Sequence, residues 1–165
     1  MAIRLIVMGV SGCGKSTLGE ALAARWSTPF IEGDALHAPE SVRKMAAGIA
    51  LEDADRWPWL DRIGSALLGH GKGAVASCSA LRRIYRDRLR QAVGPDLQFV
   101  MIDLPRAVLE RRMTERTGHY MPPALLDSQL RTLERPEGEN DVLVLDGREP
   151  MDALLQTVEQ WRADT

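Results

Sequence analysis

The residues best equipped for chemistry stand near the start of the chain. Gly9-Val10-Ser11-Gly12-Cys13-Gly14-Lys15-Ser16 satisfies the spacing G-x-x-x-x-G-K-[ST] and follows directly on the apolar run Ile3–Met8. Glycines let such a loop wrap closely, so that successive backbone N–H groups point at one anion while the next helix presents its positive N-terminal end to it. Lys15 then neutralises β- and γ-phosphate charge, Ser16 is placed to hold Mg²⁺, and Thr17 extends the phosphate contacts into the first helical turn. An ordinary glycine-rich turn is the bland alternative; strand, loop and helix arriving in the required order weigh against it. The sequence therefore predicts a nucleotide site from Gly9 to Thr17.

A second group of candidates follows the next apolar run, Phe30–Ile31, which closes on Glu32-Gly33-Asp34. In a parallel sheet the end of this strand lies beside the phosphate loop, so Asp34 is expected near the reacting γ-phosphate. Its carboxylate could accept a proton from a substrate hydroxyl, hold a Mg²⁺-bound water, or merely cap the following helix. His37, one turn on, is either a substrate contact or a packed side chain. Arg82, Arg86 and Arg90 recur at four-residue spacing, the usual mark of a solvated cationic helix face. That run begins just past Ala74–Cys78, at the carboxyl end of a strand, so an anion-binding role for Arg82 or Arg83 is at least as well motivated. Cys13 lies among the loop's N–H donors, where an exposed thiol would be activated and shielded by ATP; Cys78, at a buried strand end, should be slow to react.

The elements that must position these groups can be read from periodicity. Apolar runs at Ile3–Met8, Phe30–Ile31, Ala74–Cys78, Leu97–Ile102 and Val142–Leu145 alternate with stretches of helical spacing. Leu18, Leu22 and Trp26 form one apolar stripe, and Met151, Leu154, Leu155, Val158 and Trp161 another. Acidic residues ahead of an early proline mark a helix start at Asp53–Pro58, with Trp59, Leu60, Ile63 and Leu67 behind it; Trp57 and Trp59 are expected to pack. Further helices fit Leu81–Val93, Pro105–Arg116 and Pro123–Leu133. The expected fold is α/β, a three-layer structure with a five-stranded parallel sheet flanked by helices, its ligands beyond the strands' carboxyl ends.

Composition narrows the functional classes. With 165 residues, 45% hydrophobic and 27% charged, the chain is expected to form a single domain over 1–165. A net charge of −2 gives no global pull towards nucleic acid or an anionic membrane. Eighteen Arg stand against three Lys, a bias that base composition can produce as readily as function. The two cysteines provide neither a disulfide framework nor a zinc site by themselves, and no stretch reaches the length of a spanning helix, which points to a soluble protein of the reducing cytoplasm.

Several later blocks carry a resemblance. The phosphate loop, Gly33-Asp34-x-x-His37, Lys44-Met45 followed by Gly48, Asp53-x-Asp55-Arg56-x-Pro58-Trp59-Leu60, Cys78-Ser79-Ala80-Leu81-x-x-x-Tyr85-Arg86-Asp87, Gly118-His119-Tyr120-Met121 and Ser128-Gln129-x-x-Thr132-Leu133-Glu134-x-Pro136 together resemble the gluconate kinases, nearly end to end. The resemblance implies a P-loop kinase of nucleoside-monophosphate-kinase-like fold, ATP and Mg²⁺, phosphorylation of D-gluconate at its terminal hydroxyl to 6-phospho-D-gluconate, and a homodimer. For a polyol carboxylate the available cations are Lys44, Arg56, Arg82 and Arg83. The segment of about 112–135 looks like a helical lid, with Arg116 near the transferring phosphoryl group and Arg112 nearer the base or its phosphates; two ordinary surface arginines are the alternative. Ser41 departs from the pattern, which commonly has Asn there.

Two rivals remain at this level. Another small-metabolite kinase of the same architecture, such as shikimate kinase, would be expected to show a glycine triplet where this chain has Cys78-Ser79-Ala80. A nucleotide-dependent regulatory switch of the G-protein kind would carry an Asn-Lys-x-Asp motif, which the sequence lacks.

Overall fold

The structure, a computed structural model, describes residues 2–115 and 123–165. The apolar runs become five strands, β1 (Ile3–Met8), β2 (Phe30–Glu32), β3 (Gly73–Ser77), β4 (Leu97–Asp103) and β5 (Val142–Asp146). All pair in parallel in the order β2-β3-β1-β4-β5. The helices are α1 (Lys15–Arg25), α2 (Pro39–Ala46), α3 (Asp53–Leu68), α4 (Arg83–Val93), α5 (Arg106–Glu115), α6 (Pro123–Thr132) and α7 (Met151–Asp164).

Alternation along β1 splits the interior into two cores. Leu5 and Val7 pack with Leu18, Leu22, Leu109, Leu126, Leu155 and Val158, so α1, α5, α6 and α7 contribute to one face of the sheet. Ile6 and Met8 pack with Trp59, Leu60, Ile63, Leu67, Tyr85 and Leu89, so α3 and α4 cover the other. Each fully buried side chain of this kind contributes ~1.5–3 kcal/mol, which makes the central strand a rigid footing for the loop that follows it. The expected three-layer architecture and both apolar stripes are present.

Local boundaries differ from the sequence reading where side chains set them. α3 starts at Asp53, with Asp55 accepting the Glu52 N–H at 2.9 Å, so Pro58 falls in the second turn instead of at the helix start. α4 starts at Arg83, because Ala80 adopts φ 44 and Arg82 stays extended ahead of the helix. α2, headed by Pro39, has no apolar stripe long enough to announce it.

The solvated cationic face expected from Arg82, Arg86 and Arg90 is not what forms. Arg86 is wholly buried: it grips Glu139 at 2.8 and 2.7 Å and donates to the carbonyls of Ala80, Leu81 and Glu134. Every guanidinium donor is thereby used, the condition under which such burial is tolerable. Burial pushes the Glu139 carboxyl up, but hydrogen bonds from Arg86 and Arg90 outweigh it and hold the group below its ordinary value. The network fixes the loop after β3, which walls the cleft described next.

Candidate active site

The end of β1 has to turn sharply into α1, and glycines make the turn. Gly9, Gly12 and Gly14 all have left-handed φ, of 137°, 81° and 100°. At Gly9 a side chain would also meet Cys13 Sγ at 2.8 Å and the Ile102 carbonyl at 2.9 Å. Gly9 N–H donates to the Ser79 carbonyl at 3.2 Å, pinning the loop to the segment after β3. Lys15, the first residue of α1, donates from Nζ to the Val10 carbonyl at 3.1 Å. The ammonium group is thus held across the mouth of the loop, with its remaining donors available to an anion.

At the neighbouring end of β2 the structure brings forward a residue that sequence reasoning passed over. Glu32 accepts hydrogen bonds from Ser16 Oγ at 2.5 Å and from Ser77 Oγ at 2.6 Å, while Ser77 Oγ accepts the Gly33 N–H at 3.1 Å. Only glycine fits at position 33, since a Cβ there would lie 1.8 Å from the Ser77 carbonyl oxygen. The Gly33 carbonyl accepts Trp59 Nε1 at 2.7 Å, and the Trp59 ring stacks on His37 at 4.1 Å between centroids. Both tryptophan and turn therefore position the strand end, the packing role expected for Trp59. A carboxylate at a parallel-strand terminus beside the phosphate loop was the available signal for Glu32.

Asp34 and His37 project from the 3-10 turn Gly33–Leu36 and its exit into a cleft of about 370 Å³, with Ser11, Lys15, Arg56, Ser79, Ser128 and Gln129 also on its wall. The Asp34 side chain is 73% exposed and lies 3.9 Å from His37 Nε2, whose own side chain is 4% exposed. Burial lowers the His37 pKa, and its Nδ1 is buried without a hydrogen-bond partner among the described residues. On the other side of the loop, Gly12, Gly14, Thr17, Arg112 and Glu115 line a second recess of about 270 Å³. Arg112 reaches it from α5, donating from Nη1 to the Cys13 carbonyl at 3.3 Å. Arg116 lies outside the described residues, as do Gly118, His119, Tyr120 and Met121.

Of the four cations considered for the substrate carboxylate, Arg56 is the one on the cleft wall. Its side chain is 16% exposed, donates to Tyr85 OH at 3.0 Å and sits 3.5 Å from Asp53, which also accepts a short hydrogen bond from Tyr85. Burial, followed by that bond to Asp53, raises the Tyr85 pKa. Arg82 faces an adjoining recess and pairs with Asp53 at 3.3 Å and Glu134 at 3.5 Å. Lys44 pairs with Asp55 at 2.9 Å, and Arg83 is exposed beside Asp87. Ser41 is buried within α2 and does not line the cleft. Cys13 is also buried, and desolvation raises its pKa despite Lys15 nearby, so the activated thiol that exposure would have produced does not arise. Cys78 is buried too, its pKa pushed up to about 12.

A phosphate loop at the head of the central strand, a cation across its mouth and an acceptor-sized cleft beside it define a P-loop kinase. The AAA domain family model matches residues 5–136. The gluconokinase of Gluconobacter oxydans is 47% identical over 157 residues, spanning 92% of this chain and 86% of that protein. The thermosensitive gluconokinase of Escherichia coli is 43% identical over 86% of this chain and 77% of its own length. A crystal structure of a gluconokinase from Sinorhizobium meliloti superposes with a TM-score of 0.90 at 47% identity, covering 99% of this chain and 94% of that one. The chain belongs to the gluconokinase family. Among the described residues no helix is long and apolar enough to cross a membrane.

Proposed function

We propose that the protein transfers the γ-phosphoryl group of ATP to the terminal hydroxyl of D-gluconate, giving 6-phospho-D-gluconate and ADP. The observation that carries this reading is the shared wall of the cleft, where Lys15, Asp34 and Arg56 come together. They provide a cation for the phosphates, a carboxylate for a hydroxyl and a cation for a carboxylate. Phosphoryl transfer demands mainly positioning and charge neutralisation, and the residues divide along those lines. Gly9 to Thr17 cradle the phosphates through backbone N–H groups, and Lys15 exchanges the Val10 carbonyl for phosphate oxygens. Arg112 steadies the nucleotide from α5, and Arg116 acts on the transferring group.

Asp34 orients the attacking hydroxyl and accepts its proton, an open carboxylate suited to a substrate that enters from solvent. His37, on the cleft wall, contacts the substrate through its neutral imidazole, which Trp59 holds in place by stacking. Arg56 takes the gluconate carboxylate. Arg82 steadies Asp53 behind Arg56, while Lys44 and Arg83, off the cleft wall and beside Asp55 and Asp87, take no direct part in holding the carboxylate. The Ser16 hydroxyl and the Glu32 carboxylate form a hard oxygen pair that suits Mg²⁺, an ion that usually keeps its waters and phosphate ligands and takes few protein ones. Bound there, Mg²⁺ supplies charge neutralisation on the phosphates.

We infer further that 1–165 works as one domain with a lid over about 112–135, that the active species is a homodimer, and that it acts in the cytoplasm. The family membership and the two free, buried cysteines support this setting. Phosphorus NMR of the product tests the reaction: a phosphomonoester coupled to the C6 protons is expected. Phosphorylation at another carbon, or free phosphate alone, contradicts it.

A further inference from the structure

The phosphate loop already holds a ligand supplied by the chain itself. Gln129, on α6, accepts the Ser11 backbone N–H on Oε1 at 2.7 Å and donates from Nε2 to Ser11 Oγ at 3.1 Å. The partners are 118 residues apart in sequence, and the carboxamide is half-buried. Neither bond belongs to a helix or strand, so nothing in the secondary structure requires it.

The location of Ser11 gives the contact its meaning. Gly12, Gly14, Thr17 and Arg112 line the recess on one side of the loop, whereas Ser11 faces the acceptor cleft together with Lys15 and Asp34. A nucleotide that enters along the first side therefore presents its terminal phosphoryl group to Ser11. A carboxamide oxygen is a neutral imitation of a phosphoryl oxygen, and one N–H cannot serve both well.

We propose that Gln129 is a specificity-determining residue for the nucleotide: its carboxamide and a γ-phosphoryl oxygen compete for the Ser11 N–H. ATP displaces Gln129, ADP leaves it in place, and the N–H returns to Gln129 once the phosphoryl group has left with the acceptor. Because α6 also contributes Leu125 and Ser128 to the cleft, the exchange ties the acceptor wall to the phosphorylation state of the nucleotide. The inference rests on the kinase reading but not on the identity of the acceptor.

Calorimetric titration with adenylyl imidodiphosphate and with ADP, without acceptor, tests it on wild type, Gln129→Ala and Gln129→Glu. Removing a neutral competitor that gains one net hydrogen bond should tighten the triphosphate analogue about three- to tenfold in Gln129→Ala and leave ADP unchanged. A carboxylate binds the N–H more strongly and repels the γ-phosphoryl group, so Gln129→Glu should weaken the analogue about tenfold or more, again sparing ADP. A strut that only braces α6 predicts the opposite for Gln129→Ala, equal or weaker binding of both nucleotides. That result, or equal shifts for analogue and ADP in either variant, overturns the proposal. Melting curves confirm that each variant is folded, and with no gluconate present the outcome is independent of the acceptor assignment.

Discussion

Replacing Arg56 should separate recognition of the acceptor's charge from every other part of the reaction. The guanidinium is largely withdrawn from solvent, with Nη1 committed to Tyr85 OH at 3.0 Å and Asp53 at 3.5 Å, which leaves its other donors for a carboxylate in the cleft. A charge-assisted hydrogen bond contributes ~1.5–3 kcal/mol net, so losing one good interaction with gluconate corresponds to about 10- to 150-fold. In Arg56→Ala the gluconate KM should rise by that factor, while the KM for ATP stays within about twofold. Arg56→Lys keeps the charge but loses the planar fork, and should recover only part of the affinity. Steady-state kinetics at saturating ATP, run in parallel with the uncharged polyol sorbitol as acceptor, provide the assay. Any turnover of sorbitol should be equally slow in wild type and variant, because it has no carboxylate to lose. An unchanged gluconate KM in a folded Arg56→Ala protein, or an equal loss with both acceptors, would refute the assignment.

Other expected outcomes follow from the same geometry. Asp34→Asn keeps size and a hydrogen bond but loses basicity, so kcat should fall by ~10²-fold with little change in ATP affinity or melting temperature; unchanged kcat would leave Asp34 a turn-forming residue only, and rescue by added Mg²⁺ would move it to the metal. Cys13 should alkylate as slowly as Cys78 with or without Mg-ATP, both reacting only on unfolding, since both thiols are buried with raised pKa values; rapid, ATP-sensitive labelling would contradict the burial. His37 has a folded pKa below its unfolded value of about 6.5, so the unfolded chain takes up its proton first as pH falls. Its stabilising contribution is complete above that pH and is lost below it, towards the lowered folded pKa; the decline in melting temperature between pH 7 and about 5.5 should be shallower in His37→Gln, and an identical slope would exclude the imidazole as its source.

The strands and the phosphate loop were legible because their signals are local. β1 and the eight residues after it carry apolar run, glycine spacing and Lys-Ser pair in one stretch, and the order of elements then fixes which strand end lies beside them. Arg86 shows the limit of that logic. Its four-residue spacing from Arg82 and Arg90 is the same whether the face meets water or a buried carboxylate, and Glu139, which decides the matter, lies 53 residues away. Glu32 was hidden differently, since its role depends on Ser77 in β3 reaching the same carboxylate from 45 residues on. The four candidate cations could be named from the sequence but not ranked, because Lys44 and Arg82 are claimed by Asp55, Asp53 and Glu134, partners that only the fold brings near. The Gln129–Ser11 contact joins chain segments with no periodic relation at all.

The central claim is that gluconate is the acceptor of a phosphoryl group activated on the Gly9–Thr17 loop. A coupled ADP-release assay over gluconate, other aldonates, shikimate, uncharged sugars and nucleoside monophosphates tests it most directly, with Lys15→Ala as the control that removes the loop cation. The account predicts ADP release that depends on gluconate, is weaker with other aldonates and absent with shikimate and the monophosphates, and falls at least ~10²-fold in folded Lys15→Ala. ATP turnover that ignores every acceptor, or that survives in Lys15→Ala, would contradict it.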